Sequence, residues 1–146
     1  MRPPNYARLF LAAFIMGVTF LCVEFVVEGA AKMAFGISET DYLNGITLTL
    51  SGARYYVINF LNFYSFCCLV MWLYASLLPK YGTFKRSVLA STISILALTL
   101  FATTNLVNIG LIPFKAGLTS LVFNVIELIP AIIAGASVYS GGRDSE

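Results

Sequence analysis

The chain has 146 residues, 59% of them hydrophobic and 11% charged, with a net charge of +2 and no histidine. Soluble domains carry about 25% charged residues, so a fold of this size needs a bilayer as its apolar solvent. The small positive charge does not suggest a nucleic-acid partner, and none is expected; the missing histidines remove the commonest general base, metal ligand and haem ligand.

Four apolar stretches follow one another, over about residues 9–35, 55–78, 88–108 and 118–139. Each reaches the roughly 20 residues that cross about 30 Å of hydrocarbon. A lipid-exposed backbone must satisfy itself, so each is read as a helix. The expected fold is an all-α integral membrane protein, a single-domain four-transmembrane-helix bundle.

The first stretch follows Arg2 and Arg8 and resembles a signal peptide, with small residues at Gly29-Ala30-Ala31. Glu24 and Glu28 fall between its apolar core and that site, so it is read as a retained span. Cys22, like Cys67 and Cys68, sits in an apolar run and is read as a packed thiol. Glu24 lies about 22 Å along the helix from Leu9. Glu24, Glu28 and Lys32 share one stripe at i, i+4, i+8, and Glu28 with Lys32 is read as an interfacial pair.

The connection from Gly36 to Gly52 is polar, with Ser38 and Asp41 spaced to cap a short surface helix. Arg54 opens the second stretch, within reach of Glu24 or Glu28. Asn59 and Asn62 share a face just below it. Phe60, Phe63, Tyr64 and Phe66 are read as packing or lipid-facing rings, with contact to a lipid or pigment as the other reading. Pro79 to Arg86 reads as a basic turn.

On the third stretch Asn105 and Asn108 reach the level of the earlier asparagines from the opposite direction. A connection over Gly110 to Gly117 contains Pro113 and Lys115. In the fourth stretch Glu127 lies about 14 Å from the start, near the midplane. Asn124 precedes it by a turn. Pro130 follows, freeing the Ile126 carbonyl.

Orientation follows from the cations. Arg2, Arg8, Lys80, Lys85, Arg86 and Arg143 fall on one side and Lys32, Arg54 and Lys115 on the other. Both termini are therefore expected on the cytoplasmic side. Glu24, Arg54, Asn59, Asn62, Asn105, Asn124 and Glu127 then gather in the outer half and middle of the bilayer as one intramembrane polar cluster. Intramembrane ionisable groups are costly and mark functional candidates, whereas asparagines between spans also serve as interhelical glue.

The segment Trp72-Leu73-Tyr74-Ala75, leading into Leu78-Pro79-Lys80-Tyr81-Gly82, resembles a turn motif of an uncharacterised family of small bacterial four-transmembrane-helix inner-membrane proteins. So do Glu24 late in the first span and Glu127 followed by Ala131, Ala134, Gly135 and Ala136. The resemblance implies a bacterial inner membrane and four spans, and no activity.

Two functions remain. Small residues on the fourth span, beginning Ala131 and Gly135, permit close helix approach and point to an accessory subunit that binds a larger membrane complex or itself. Glu127 and Glu24 point instead to a proton- or cation-coupled transporter or channel. An enzyme is disfavoured: no zinc-protease, nucleophile-elbow or phosphate-loop motif occurs, and two carboxylates have neither nucleophile nor metal beside them. No cofactor and no metal site is expected.

Overall fold

The structure, a computed structural model, describes residues 5–36 and 53–141. It contains α1 (Tyr6–Phe35), α2 (Ala53–Tyr81), α3 (Phe84–Asn108) and α4 (Phe114–Ser140), all long and apolar enough to cross a membrane. The polar connection, with Ser38 and Asp41, lies outside the described residues.

Each helix outruns the apolar stretch that marks it, and at several ends local backbone geometry rather than hydropathy sets the limit. Asn5 starts α1, its Oδ1 accepting from the Arg8 amide at 3.2 Å. α2 runs through Pro79 to Tyr81. A proline near a helix end removes one donor and leaves the preceding turns intact. Gly82 at φ +69° then stops α2, a left-handed conformation that glycine adopts without a Cβ penalty. The basic turn expected over residues 79–86 therefore shrinks to Gly82 and Thr83, with Lys80 on α2 and Lys85 and Arg86 on α3. Likewise α4 begins directly after Pro113, so Lys115 and Gly117 are helical.

Successive helices pack as antiparallel neighbours. α1 packs most extensively on α4, closing the ring, while α2 meets α4 across the diagonal only lightly. Burial is uneven along the bundle. Its turn end contains Asn5, the α2–α3 turn and Gly141. Its loop end contains Gly36, Ala53 and the α3–α4 connection.

The core occupies the turn end: Leu9, Ala12, Ala13 and Met16 on α1, Cys67 to Ala75 on α2, Ile95 on α3, and Leu128 to Tyr139 on α4. Small residues explain why. A Cβ built on Gly135 would lie 2.9 Å from the Ala12 carbonyl oxygen and 2.7 Å from Met71 Sδ. The α1 and α4 backbones thus approach until only hydrogen fits between them. Beyond Gly17 the bundle-facing side of α1 carries the larger Phe20, Val23 and Glu24, which are only half-buried.

Aromatic and hydroxyl groups close the turn end. The Tyr74 ring is fully buried, edge-on to Tyr139 at 6.0 Å and to Phe84 at 6.2 Å. Its hydroxyl shares a 2.5 Å hydrogen bond with Ser140 Oγ.

Candidate functional site

Glu127 is the one ionisable residue in the sequence-derived cluster that is buried among the described residues, at 3% exposure. Glu127, Ala131 and Gly135 stand at i, i+4, i+8 on α4, so they form one stripe. Gly135 faces Ala12, Met16 and Met71, and Glu127 therefore looks into the same α1–α2–α4 seam, nearer the loop end. One of its oxygens, Oε1, is fully enclosed by protein.

Glu24 occupies the corresponding place on α1. It is half-buried and continues the stripe of Leu9, Ala13, Gly17 and Phe20. With Ala12 beside Gly135 as the common level, Glu24 lies about 18 Å toward the loop end, Asn124 about 16 Å and Glu127 about 12 Å, at 1.5 Å per residue. Glu24 and Asn124 thus share a level, and Glu127 lies about one turn deeper. Both glutamates belong to the bundle-facing stripes of two packed helices. Glu24, Glu28 and Glu127 are all engaged by other groups, and none of these carboxyls stands free.

The asparagines divide differently. Asn124 is half-buried and turns its amide back on its own helix, donating to the Ser120 carbonyl at 2.8 Å and to Ser120 Oγ at 3.3 Å. Asn105 is exposed and donates to the Phe101 carbonyl at 2.9 Å. Asn59 and Asn62 are exposed, and neither makes a hydrogen bond among the described residues. Shared depth had suggested convergence. The azimuth around each helix decides it, and it points Asn59, Asn62 and Asn105 away from Glu127. The Arg54 side chain lies outside the described residues.

Lys32 is exposed on the last turn of α1, and no ion pair joins it to Glu28 among the described residues. Glu28, one turn earlier, is half-buried.

The small-residue face of α4 is used inside the chain. Ala131, Gly135 and Tyr139 are buried, and Gly135 is closed over by α1. The aromatic stretch also packs inward in part: Phe63 meets Phe20 at 5.4 Å, while exposed Phe60 stacks on Tyr64 at 6.1 Å. Tyr64 donates to the Phe10 carbonyl at 3.1 Å.

Sequence reasoning missed the buried hydroxyls of α3. Ser87 and Ser91 are fully buried, donating to the Thr83 and Ser87 carbonyls at 2.9 and 2.7 Å. A serine bonded to the carbonyl one turn back hides its polarity and leaves a small surface for neighbours. The signal was their i, i+4 spacing with Ile95 on one face.

No three Cys, Asp or Glu side chains among the described residues gather where a metal ion would sit. At the loop end a cleft of about 240 Å³ opens between Thr103 and Val107 of α3 and Gly117 and Leu121 of α4. It is apolar apart from Thr103, Thr104 and Asn108, and does not reach Glu127. In comparison with known proteins, the chain matches no family model, no curated protein and no solved structure.

Proposed function

We propose that the chain is an integral protein of the bacterial inner membrane, with four spans and both termini cytoplasmic, serving as an accessory subunit of a larger membrane assembly. The observation that carries this reading is the outward-facing pair Asn59 and Asn62. They lie about 4.5 and about 9 Å along α2 from Tyr56, exposed and without a hydrogen-bond partner among the described residues. An amide facing hydrocarbon is costly, and a helix of another protein supplies the missing partner. The small-residue face of α4 no longer supports the reading, because α1 covers it, and self-association through that face is not part of the proposal.

Crosslinking from a photoreactive residue at position 62, in native membranes, tests the idea. A discrete crosslinked protein is expected. Lipid adducts alone, with a monomeric particle in mild detergent, would refute it. Orientation is tested in a cysteine-free background with an impermeant maleimide on intact cells. A cysteine replacing Ser38 should label and one replacing Thr83 should not.

A second reading rests on Glu127 and Glu24. A buried carboxyl on the α1–α4 seam, with a second about a turn away, supports proton- or cation-coupled movement of a small solute. Wild-type proteoliposomes should show pH-dependent flux that Glu127→Gln abolishes. Absence of flux in the wild type ends this reading.

A further inference from the structure

We propose that the α2–α3 turn holds an anionic phospholipid, its headgroup on Arg86, Lys85 and Lys80 and one acyl chain along α3. The inference rests on the membrane reading above and adds a ligand to it. A shallow groove of about 220 Å³ runs from Tyr81 and Arg86 down Leu89, Ala90 and Ile93. Residues 86, 89, 90 and 93 stand at i, i+3, i+4, i+7, a single helix face. Leu89 and Ile93 are 60% and 58% exposed, so the face is bare hydrocarbon with a guanidinium at its head. That is the shape of a phospholipid: charge at the interface, chain below it.

The charge at the head has no counterpart among the described residues around it. Between Asp41 and Glu127 the sequence contains no acidic residue at all. Among the described residues no carboxylate pairs with Lys80, Lys85 or Arg86. Lys80 is held beside the groove instead, its Nζ 5.9 Å from the centre of the Tyr81 ring. The first turn of α3 carries two cations and no acid, the reverse of what its dipole favours, and an anion seated there offsets both. Asp144 and Glu146, the nearest acids in sequence on this side, lie outside the described residues.

Arginine binds a phosphodiester through two parallel donors, and each basic residue near an anionic surface contributes about fivefold in affinity. The apolar face selects for a lipid over a free anion. Zwitterionic lipid offers the same chains with its phosphate already paired.

The test uses the full chain in detergent, read by native mass spectrometry with phosphatidylglycerol or phosphatidylcholine added. One tightly retained phosphatidylglycerol is expected. Arg86→Gln should weaken retention about fivefold and the Lys80→Gln, Lys85→Gln, Arg86→Gln variant far more. Ile93→Trp, which fills the groove and leaves every charge in place, should weaken it too. Equal retention of the two lipids, or unchanged retention in the triple variant, would overturn the proposal. So would competition by millimolar glycerol phosphate, which would mark a simple anion site. Flotation of wild type with phosphatidylcholine vesicles separates the two levels. Failure to float removes the membrane reading itself, and flotation without lipid selectivity removes only the bound phospholipid.

Discussion

The sharpest consequence of the fold concerns Gly135→Ala. The added Cβ would meet the Ala12 carbonyl oxygen at 2.9 Å, Met71 Sδ at 2.7 Å and Met16 Cβ at 3.0 Å, against ordinary contact from 3.4 Å. Met71 can swing its sulfur aside, but a main-chain carbonyl inside a helix cannot, so α1 must retreat by about half an ångström. Overpacking of this kind costs about 1–3 kcal/mol. Replacing a helical glycine by alanine returns about 0.5–1 kcal/mol, so the expected net effect is a loss of about 0–2.5 kcal/mol. Cys67 provides the readout, because it is buried in the same core while Cys22 is exposed. In a Cys22→Ser, Cys68→Ser background, the rate at which a maleimide reaches Cys67 reports opening of the bundle in mixed micelles of rising dodecyl sulfate content. Opening should occur at lower dodecyl sulfate in Gly135→Ala, and Met71→Ala should not rescue it. Protection greater than in the wild type by about 0.5–1 kcal/mol, the gain of an unhindered glycine-to-alanine change, would mean that α1 does not lie on α4 as described.

Two other glycines calibrate that result. A Cβ on Gly29 meets nothing within 4 Å, so Gly29→Ala should stabilise by about 0.5–1 kcal/mol in the same assay. A Cβ on Gly117 meets side chains alone, Val107 Cγ2 nearest at 2.7 Å; Gly117→Ala should destabilise mildly, and adding Val107→Ala should restore most of the loss. Tyr74→Phe removes the bond to Ser140 and keeps both ring contacts, so at least about 1 kcal/mol should be lost; Ser140→Ala should cost no more than that, and the double variant little more than Tyr74→Phe alone. Ser91→Ala should move stability by less than about 0.5 kcal/mol, since the hydroxyl bonds only within its own helix; a loss above 2 kcal/mol would mean that it holds a partner across the bundle.

The four helices were legible because length and apolar content are one-dimensional properties, visible without knowing what each residue faces. Helix ends were less so. Asn5, Gly82 and Pro113 fix them through local backbone geometry while hydropathy changes residues earlier or later. The polar cluster was read from depth, and depth is only one of two coordinates on a helix. For Glu24 and Glu127 the second coordinate could have been recovered. Each falls in register with small residues, Ala13 and Gly17 on α1 and Ala131 and Gly135 on α4, that mark the packed stripe. Asn59, Asn62 and Asn105 have no such markers, and equal depth did not bring them together. Ser87 and Ser91 escaped notice because a hydroxyl that bonds its own backbone packs like a small apolar group.

The same register argument bears on where function resides. The turn end has spent its small residues on internal packing: Ala12, Ala13, Ala131, Gly135 and Ala136 are all buried. A tightly crossed end of this kind leaves little freedom for movement, because a shift there must separate backbones already in contact. Toward the loop end the stripe turns to Phe20, Glu24, Asn124 and Glu127. Between Glu127 and the turn end Leu128, Ala131, Ile132 and Ala136 are buried, so a route for a proton or cation to Glu127 is expected from the loop end. Coupled transport across the whole thickness would require α1 and α4 to part at Gly135. An accessory role asks for no such movement, since Asn59 and Asn62 already face outward. Tethering α1 to α4 at the turn end, by a bifunctional maleimide between cysteines introduced at the exposed positions Ala7 and Gly141 in a cysteine-free background, therefore divides the two readings. Flux should stop if the chain transports, and assembly with a partner should survive if it docks through α2.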